Sequence, residues 1–162
     1  MNVSQNGIGF IKATRGFQPK AYLNASGLWA IGYGHKNNIT AGDVITPEEA
    51  EVLLHQDIKR CSDIVNSAVD IPLTQNQFDA LVSLTLDIGA GKRGVSSGLV
   101  ELRSGQPSTL LMFLNQGCYA AAAEQFGSWI YVNNILIKEL IYRRECEKNI
   151  FLPKNKSSMF KS

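Results

Sequence analysis

Residues 15–35 read Arg15-Gly16-Phe17-Gln18-Pro19-Lys20-Ala21-Tyr22-Leu23-Asn24-Ala25-Ser26-Gly27-Leu28-Trp29-Ala30-Ile31-Gly32-Tyr33-Gly34-His35. Pro, Asn, Ser and Gly break up aromatic and β-branched residues here, which is the chemistry of short strands joined by turns. Ahead of this stretch, Ile8, Ile11 and Lys12 keep helical spacing and predict a short helix from Gln5 to Thr14. Behind it, Thr46-Pro47-Glu48-Glu49 is a helix start, with Thr46 as N-cap, Pro47 first in the helix and Glu49 closing a capping box. Ala50, Leu53, Leu54 and Ile58 then share one apolar face, and Cys61, Ile64, Val65 and Ala68 resume it. A long helix therefore leads out of the β region toward a second lobe.

Pro72 interrupts, and Thr74 with Gln77 makes a second capping box. The following helix, Phe78 to Ile88, is apolar on nearly every side and belongs at the centre of a helical lobe. Tyr119, Ala122, Ala123, Phe126 and Trp129 predict another amphipathic helix; Leu136, Leu140 and Ile141 begin a last one. The Gly- and Ser-rich stretch from Lys92 to Pro107 predicts a connection. Within it, residues 97–105 faintly echo residues 108–117, as two short Ser-to-Gly helices would, through local duplication or chance. The fold class is mainly α (α+β), with one small β region. A β-containing lobe spans about 14–58, a linking helix about 60–70, a helical lobe about 71–151 and a frayed tail 153–162.

A chain of 162 residues makes one domain or two small lobes and buries about 70% of its unfolded surface. With 44% hydrophobic and 19% charged residues it is globular rather than disordered. A net charge of +2 sets up no strong field toward nucleic acid or a membrane. The surplus sits late: six Lys/Arg against two Glu from Arg143 onward leave the first 142 residues at −2. That tail reads as solvated, or as a weak attraction for an anionic partner. Cys61, Cys118 and Cys146 lie in apolar helical patterns and read as reduced core or half-buried thiols. No metal or cofactor is expected: His55 has no partner at ligand spacing, Gly32-Tyr33-Gly34 opens no helix, and no Ser-His-Asp or Cys-His arrangement stands out. His35, Tyr33 and Trp129 read as packing residues, as does Trp29, although Trp29 is the one placed to meet a ligand.

The Arg15, Asn24, Ala30 spacing, Gly32-Tyr33-Gly34-His35, the run from Leu73 to Ser83, Ile88-Gly89-Ala90-Gly91, the alanines 120–123 with Phe126 and Trp129, and Arg143-Arg144 with Glu147 and Phe151 together resemble the phage-type lysozymes, glycoside hydrolase family 24. The resemblance implies a two-lobed fold with a cleft. It also implies that positions 15, 24 and 30 should be Glu, Asp and Thr. Glycoside hydrolysis needs one carboxylic acid to protonate the leaving oxygen and a second carboxylate on the other side of the bond. Arg15 releases no proton near neutrality, Asn24 has no basic oxygen, and Ala30 offers nothing polar. Other departures fall nearby: Asn133-Asn134 for Gly-Gly, Lys138-Glu139 for Pro-Gly, Asp87 for Asn, and extra residues between Gly91 and Ser108.

The sequence thus predicts a catalytically inactive lysozyme-like protein of phage or prophage origin that acts by binding. The partner would be an acidic host-defence or lysis-related protein, or a cell-wall fragment. The surface would be the former cleft, rimmed by Arg15, Asn24, Trp29, Asn133, Asn134, Lys138 and residues 94–106. One alternative is a muramidase hydrolysing the MurNAc-GlcNAc bond with relocated acids, Asp87 or Glu139; otherwise these two read as a replaced hydrogen bond and a helix cap. A second alternative is a structural virion component. No signal peptide, anchor or membrane span is visible, so the bacterial host's cytoplasm is the expected location.

Overall fold

A computed structural model describes residues 1–154. Helix α1, Gln5–Arg15, starts at Ser4, whose hydroxyl accepts from Gly7 N at 3.0 Å. It ends at Gly16, whose φ of 71° no side chain adopts cheaply. Strands β1, Gln18–Leu23, and β2, Trp29–Gly32, pair antiparallel with Tyr22 opposite Ala30 and Leu23 opposite Trp29. Between them Asn24 Oδ1 accepts from Ser26 N at 2.9 Å and Leu28 N at 3.0 Å, closing the turn.

Helix α2, Pro47–Ala68, is continuous over 22 residues. The capping box forms and nothing breaks the stripe Ala50, Leu54, Ile58, Cys61, Val65, so the stretch expected as a linking helix over about 60–70 is the second half of this longer helix. Helix α3, Gln75–Ile88, has its capping box too and runs through the core, with Phe78, Ala80, Leu81, Val82 and Leu84 fully buried. Around it pack α1, α2 and α6, Lys138–Phe151. Helices α4, Thr109–Asn115, and α5, Tyr119–Glu124, complete the helical lobe through Leu110, Leu114, Ala122 and Ala123.

Two helix expectations are corrected, and one hairpin is additional. Residues 97–105 form turns and no helix, so the echo of 108–117 has no structural counterpart. Their backbone folds onto the end of α3: Leu99 N donates to Gly89 O at 2.9 Å, Val100 N to Ala90 O at 2.9 Å, and Leu99 is fully buried. The helix expected over Tyr119 to Trp129 stops at Glu124 and tightens into a 3-10 turn, Gln125–Ser128. A second hairpin, β3 Tyr131–Val132 with β4 Ile135–Leu136, was not expected. Its corner residues Asn133 and Asn134 have φ of 50° and 65°, the left-handed pair a two-residue hairpin turn needs. Asn is the non-Gly residue that best tolerates this region, so Asn133-Asn134 keeps a Gly-Gly backbone rather than degrading it.

Of the cysteines, Cys61 is buried and Cys146 half-buried as expected, but Cys118 is exposed because it precedes α5 instead of lying inside it. The expected frayed tail, 153–162, lies outside the described residues after Lys154.

The fold over α3's end depends on Gly98. A Cβ there would fall 2.6 Å from Gly89 O and closer still to the backbone of Ala90 and Gly91. Gly98→Ala should cost about 2–4 kcal/mol, at or just above the usual cost of overpacking, because the obstacles are backbone. Urea unfolding would measure it; a change below about 0.5 kcal/mol would refute the close crossing.

Candidate functional site

A cavity of about 410 Å³ opens between the lobes. One wall is the β1–β2 turn with Tyr22, Leu23, Asn24 and Ala30, followed by Tyr33, Lys36 and Asn37. The back is α2, through Leu54, Asp57 and Arg60. The opposite wall is the end of α3 with Leu86 and Asp87, then Val132, Ile137, Glu139, Leu140 and Arg143, with Arg15 deep between the lobes.

The structure brings some sequence-predicted residues together and not others. Arg15, Asn24, Ala30, Asp87 and Glu139 line the cavity; Trp29, Asn133, Asn134 and Lys138 do not, nor does any residue from 88 to 131. Trp29 is half-buried beside Leu23 in the sheet. The 94–106 segment contributes no lining residue; its backbone packs on residues 89–91 just beyond the end of α3. Residues the sequence reading left out include Tyr22, Lys36, Asp57 and Arg60. Tyr22 was legible as the strand residue two positions before Asn24, at the end of β1 next to the turn. Asp57 was legible as an acid on the apolar stripe of α2, one turn from Leu54.

Arg15 is not a free contact in the groove. Its side chain is only 6% exposed. It donates to Ser83 O at 2.7 Å and reaches Asp87 Oδ1 at 3.3 Å. Asp87 also accepts from Arg143 at 2.7 Å and from Arg144 at 2.5 Å, and Arg144 pairs in turn with Glu147, which Ser83 Oγ also bonds. Three guanidiniums and two carboxylates thus meet where α1, α3 and α6 converge.

Burial opposes ionisation of Asp87, but the charges of Arg15, Arg144 and Arg143 outweigh it and hold its carboxyl far below the usual range. Glu147 is pushed up instead, by burial first, with Arg144 opposing. Burial lowers Arg15, the neighbouring Asp87 opposing it. Burial also raises the Tyr22 hydroxyl, Arg143 opposing it.

Chemically, the acids that line the cavity are Asp57, Asp87 and Glu139. Asp87 is an ionised, doubly bonded anion, hence no acid and a weak base. Asp57 is engaged by His35 Nδ1 at 2.8 Å and Arg60 at 2.9 Å, which bears on the structural reading of His35. Asn24 spends its carbonyl oxygen on its own turn. Glu139 has no ion-pair or hydrogen-bond partner among the described residues, but it is exposed on the first turn of α6.

The family model described as phage lysozyme matches residues 12–147. An endolysin of Acyrthosiphon pisum secondary endosymbiont phage 1 is 37% identical over 155 residues, covering 93% of this chain and 98% of that protein. The endolysin of Bacillus phage B103 is also 37% identical over 155 residues; 94% of this chain aligns, yet it spans only 54% of that longer protein. Among solved structures, the muramidase domain of SpmX from Asticaccaulis excentricus is 34% identical with a TM-score of 0.76, covering 94% of this chain and 98% of that one.

Removing Asp87 leaves three guanidiniums facing one carboxylate. Asp87→Asn should therefore cost about 3 kcal/mol at pH 7. The folded Asp87 titrates below its unfolded value of about 3.9, so its stabilisation is complete above that value and is lost as pH falls toward the folded one. Glu147 acts with the opposite sign, since its raised carboxyl makes ionisation costly as pH rises. The stability gap between wild type and Asp87→Asn should narrow from about pH 5 to pH 2. A gap that stays constant in chemical denaturation across that range would rule out the cluster's charge as its origin.

Proposed function

The chain belongs to the phage lysozyme family, and from that premise we propose that it is a phage- or prophage-encoded member whose cleft binds without hydrolysing. One observation carries the reading: at the position the resemblance assigns to the proton-donating acid stands a guanidinium, fixed by Ser83 and Asp87. Each positioned acid or base contributes about 10² to 10⁴ in rate, and both roles are unfilled. The positive charge of Arg15 and Arg143 beside the cavity also disfavours an oxocarbenium-like transition state.

Asp87 supports the same reading. In the pattern the chain resembles, position 15 is an acid and position 87 a neutral amide; here 15 is basic and 87 acidic. The two changes compensate, because Asp87 supplies the anion the arginines would otherwise lack. A compensated swap is the mark of a site refitted as structure.

The second reading is peptidoglycan hydrolysis. The relatives' name, endolysin, favours it, as does Glu139, an acid in the cavity wall with no partner among the described residues. Release of reducing ends from purified peptidoglycan separates the two. The non-hydrolytic reading expects none above background; release that disappears in Glu139→Gln would establish the second.

The swap makes a further prediction. Arg15→Glu alone places a third carboxylate among two remaining guanidiniums and should destabilise by about 2–4 kcal/mol. Adding Asp87→Asn should recover at least about 1 kcal/mol, a coupling that a double-mutant cycle reads directly. Additive losses would show that the two positions did not change together.

A further inference from the structure

We propose that the double turn between Lys92 and Gln106 docks on an anionic phospholipid surface, with Lys92, Arg93 and Arg103 on the lipid phosphates and Val95 entering between the headgroups. This surface lies outside the cleft and is independent of what the cleft does.

Two turns brace each other. In the first, Lys92 N donates to Ser96 O at 2.8 Å and Ser96 N donates back to Lys92 O at 2.9 Å, which puts Arg93, Gly94 and Val95 at the tip. In the second, Leu102 N donates to Gln106 O at 2.7 Å and Gly105 N to Leu102 O at 2.8 Å, with Arg103, Ser104 and Gly105 at the tip. The tips adjoin. Gly94 N donates to Arg103 O at 2.8 Å, and the Arg93 stem lies so near Gly105 that a Cβ there would meet Arg93 Cδ at 2.9 Å. Ser97 Oγ accepts from Arg103 N at 3.0 Å, and Leu99 anchors the segment in the core. Two guanidiniums and an ammonium are thus carried on one braced knob.

The charge there is one-sided. Lys92, Arg93 and Arg103 are exposed, and none has an ion-pair partner among the described residues. Between Ile88 and Ala123 they meet a single acid, Glu101, half-buried just before the second turn. This short segment therefore carries a surplus as large as the +2 of the whole chain. Val95 adds an apolar side chain, 60% exposed at the first tip.

The chemistry selects among polyanions. No aromatic residue or histidine stands between Ile88 and Met112 to stack on bases, and a pair of tight turns offers no helix or strand to a groove. A protein interface needs a desolvated apolar centre, which one valine among cations and serines does not supply. An anionic bilayer needs less: mobile phosphates gather around fixed cations, and a small apolar tip sinks toward the acyl boundary.

The test is co-sedimentation of the full chain, in low salt, with vesicles of phosphatidylglycerol and phosphatidylcholine in equal parts and with vesicles of phosphatidylcholine alone. Binding is expected to the first at millimolar lipid and not to the second. Lys92→Gln, Arg93→Gln and Arg103→Gln, all at exposed positions, should each weaken it about fivefold, the effect of one cation near an anionic surface. Arg93→Lys keeps the charge and should bind within about twofold of wild type. Val95→Asp should weaken binding at least about fivefold, and about 0.5 M KCl should release the protein. Lys20→Gln, which removes an exposed cation of the β region, should leave binding unchanged. Equal binding to neutral vesicles, or no binding to anionic ones, would overturn the proposal. So would a loss from Lys20→Gln as large as that from Arg103→Gln, since net charge alone would then explain the attraction. Displacement from the vesicles by oligothymidylate or polyglutamate at equal charge concentration would overturn it in favour of nucleic acid or an acidic protein.

Discussion

Everything around the cleft depends on five charged side chains packed where three helices meet. Arg15 ends α1, Asp87 sits one residue from the end of α3, and Arg143, Arg144 and Glu147 come from α6. Each ion would be expensive to bury alone; together they share partners, and Ser83 ties the two halves by accepting from Arg15 through its carbonyl and donating to Glu147. Such a network stabilises little relative to an apolar plug of the same shape. Its effect is to hold one arrangement, since withdrawing any member strands a charge. The spacing of α1 against α3 and α6, and with it one wall of the cavity, is therefore set by electrostatics rather than by hydrophobic packing.

The frame was legible in the sequence because local rules agree with the global fold. Thr46 and Thr74 cap α2 and α3 as their spacing to Glu49 and Gln77 implies, and the apolar stripe of α2 and the all-round apolar α3 occupy the buried places those patterns require. What escaped notice is short or non-local. The β3–β4 hairpin has two residues per strand, too few for a period-two signal, although Asn133-Asn134 between Val132 and Ile135 was a turn signal available to be read. The segment around Gly98 is fixed by backbone contacts to residues 89–91, and a Ser-to-Gly pattern says nothing about such a crossing.

The site was legible in composition and not in geometry. That Arg15, Asn24 and Ala30 lack hydrolytic chemistry follows from the side chains themselves. That Arg15 is buried and committed, while Arg143 also lines the cavity, follows only from where α6 lies. Asp87 shows the same limit: an acid at a motif position invites a catalytic reading, and only its three arginine neighbours turn it into a counter-ion.

Helix α1 is fastened to α3 at both ends. At its start, Ser4 bonds Asp79 through backbone and hydroxyl, and Gly7 lies so close that a Cβ would meet Asp79 Cγ at 2.6 Å; at its finish, Arg15 reaches Ser83 and Asp87. The helix that comes first in the chain thus belongs to the lobe that comes last. During vectorial synthesis it follows that the β hairpin and α2 can form while α1 still lacks its partner, and Ile8 and Ile11 stay exposed until α3 has left the ribosome. The two lobes are intertwined in sequence, so the second cannot be completed without returning to the beginning of the chain.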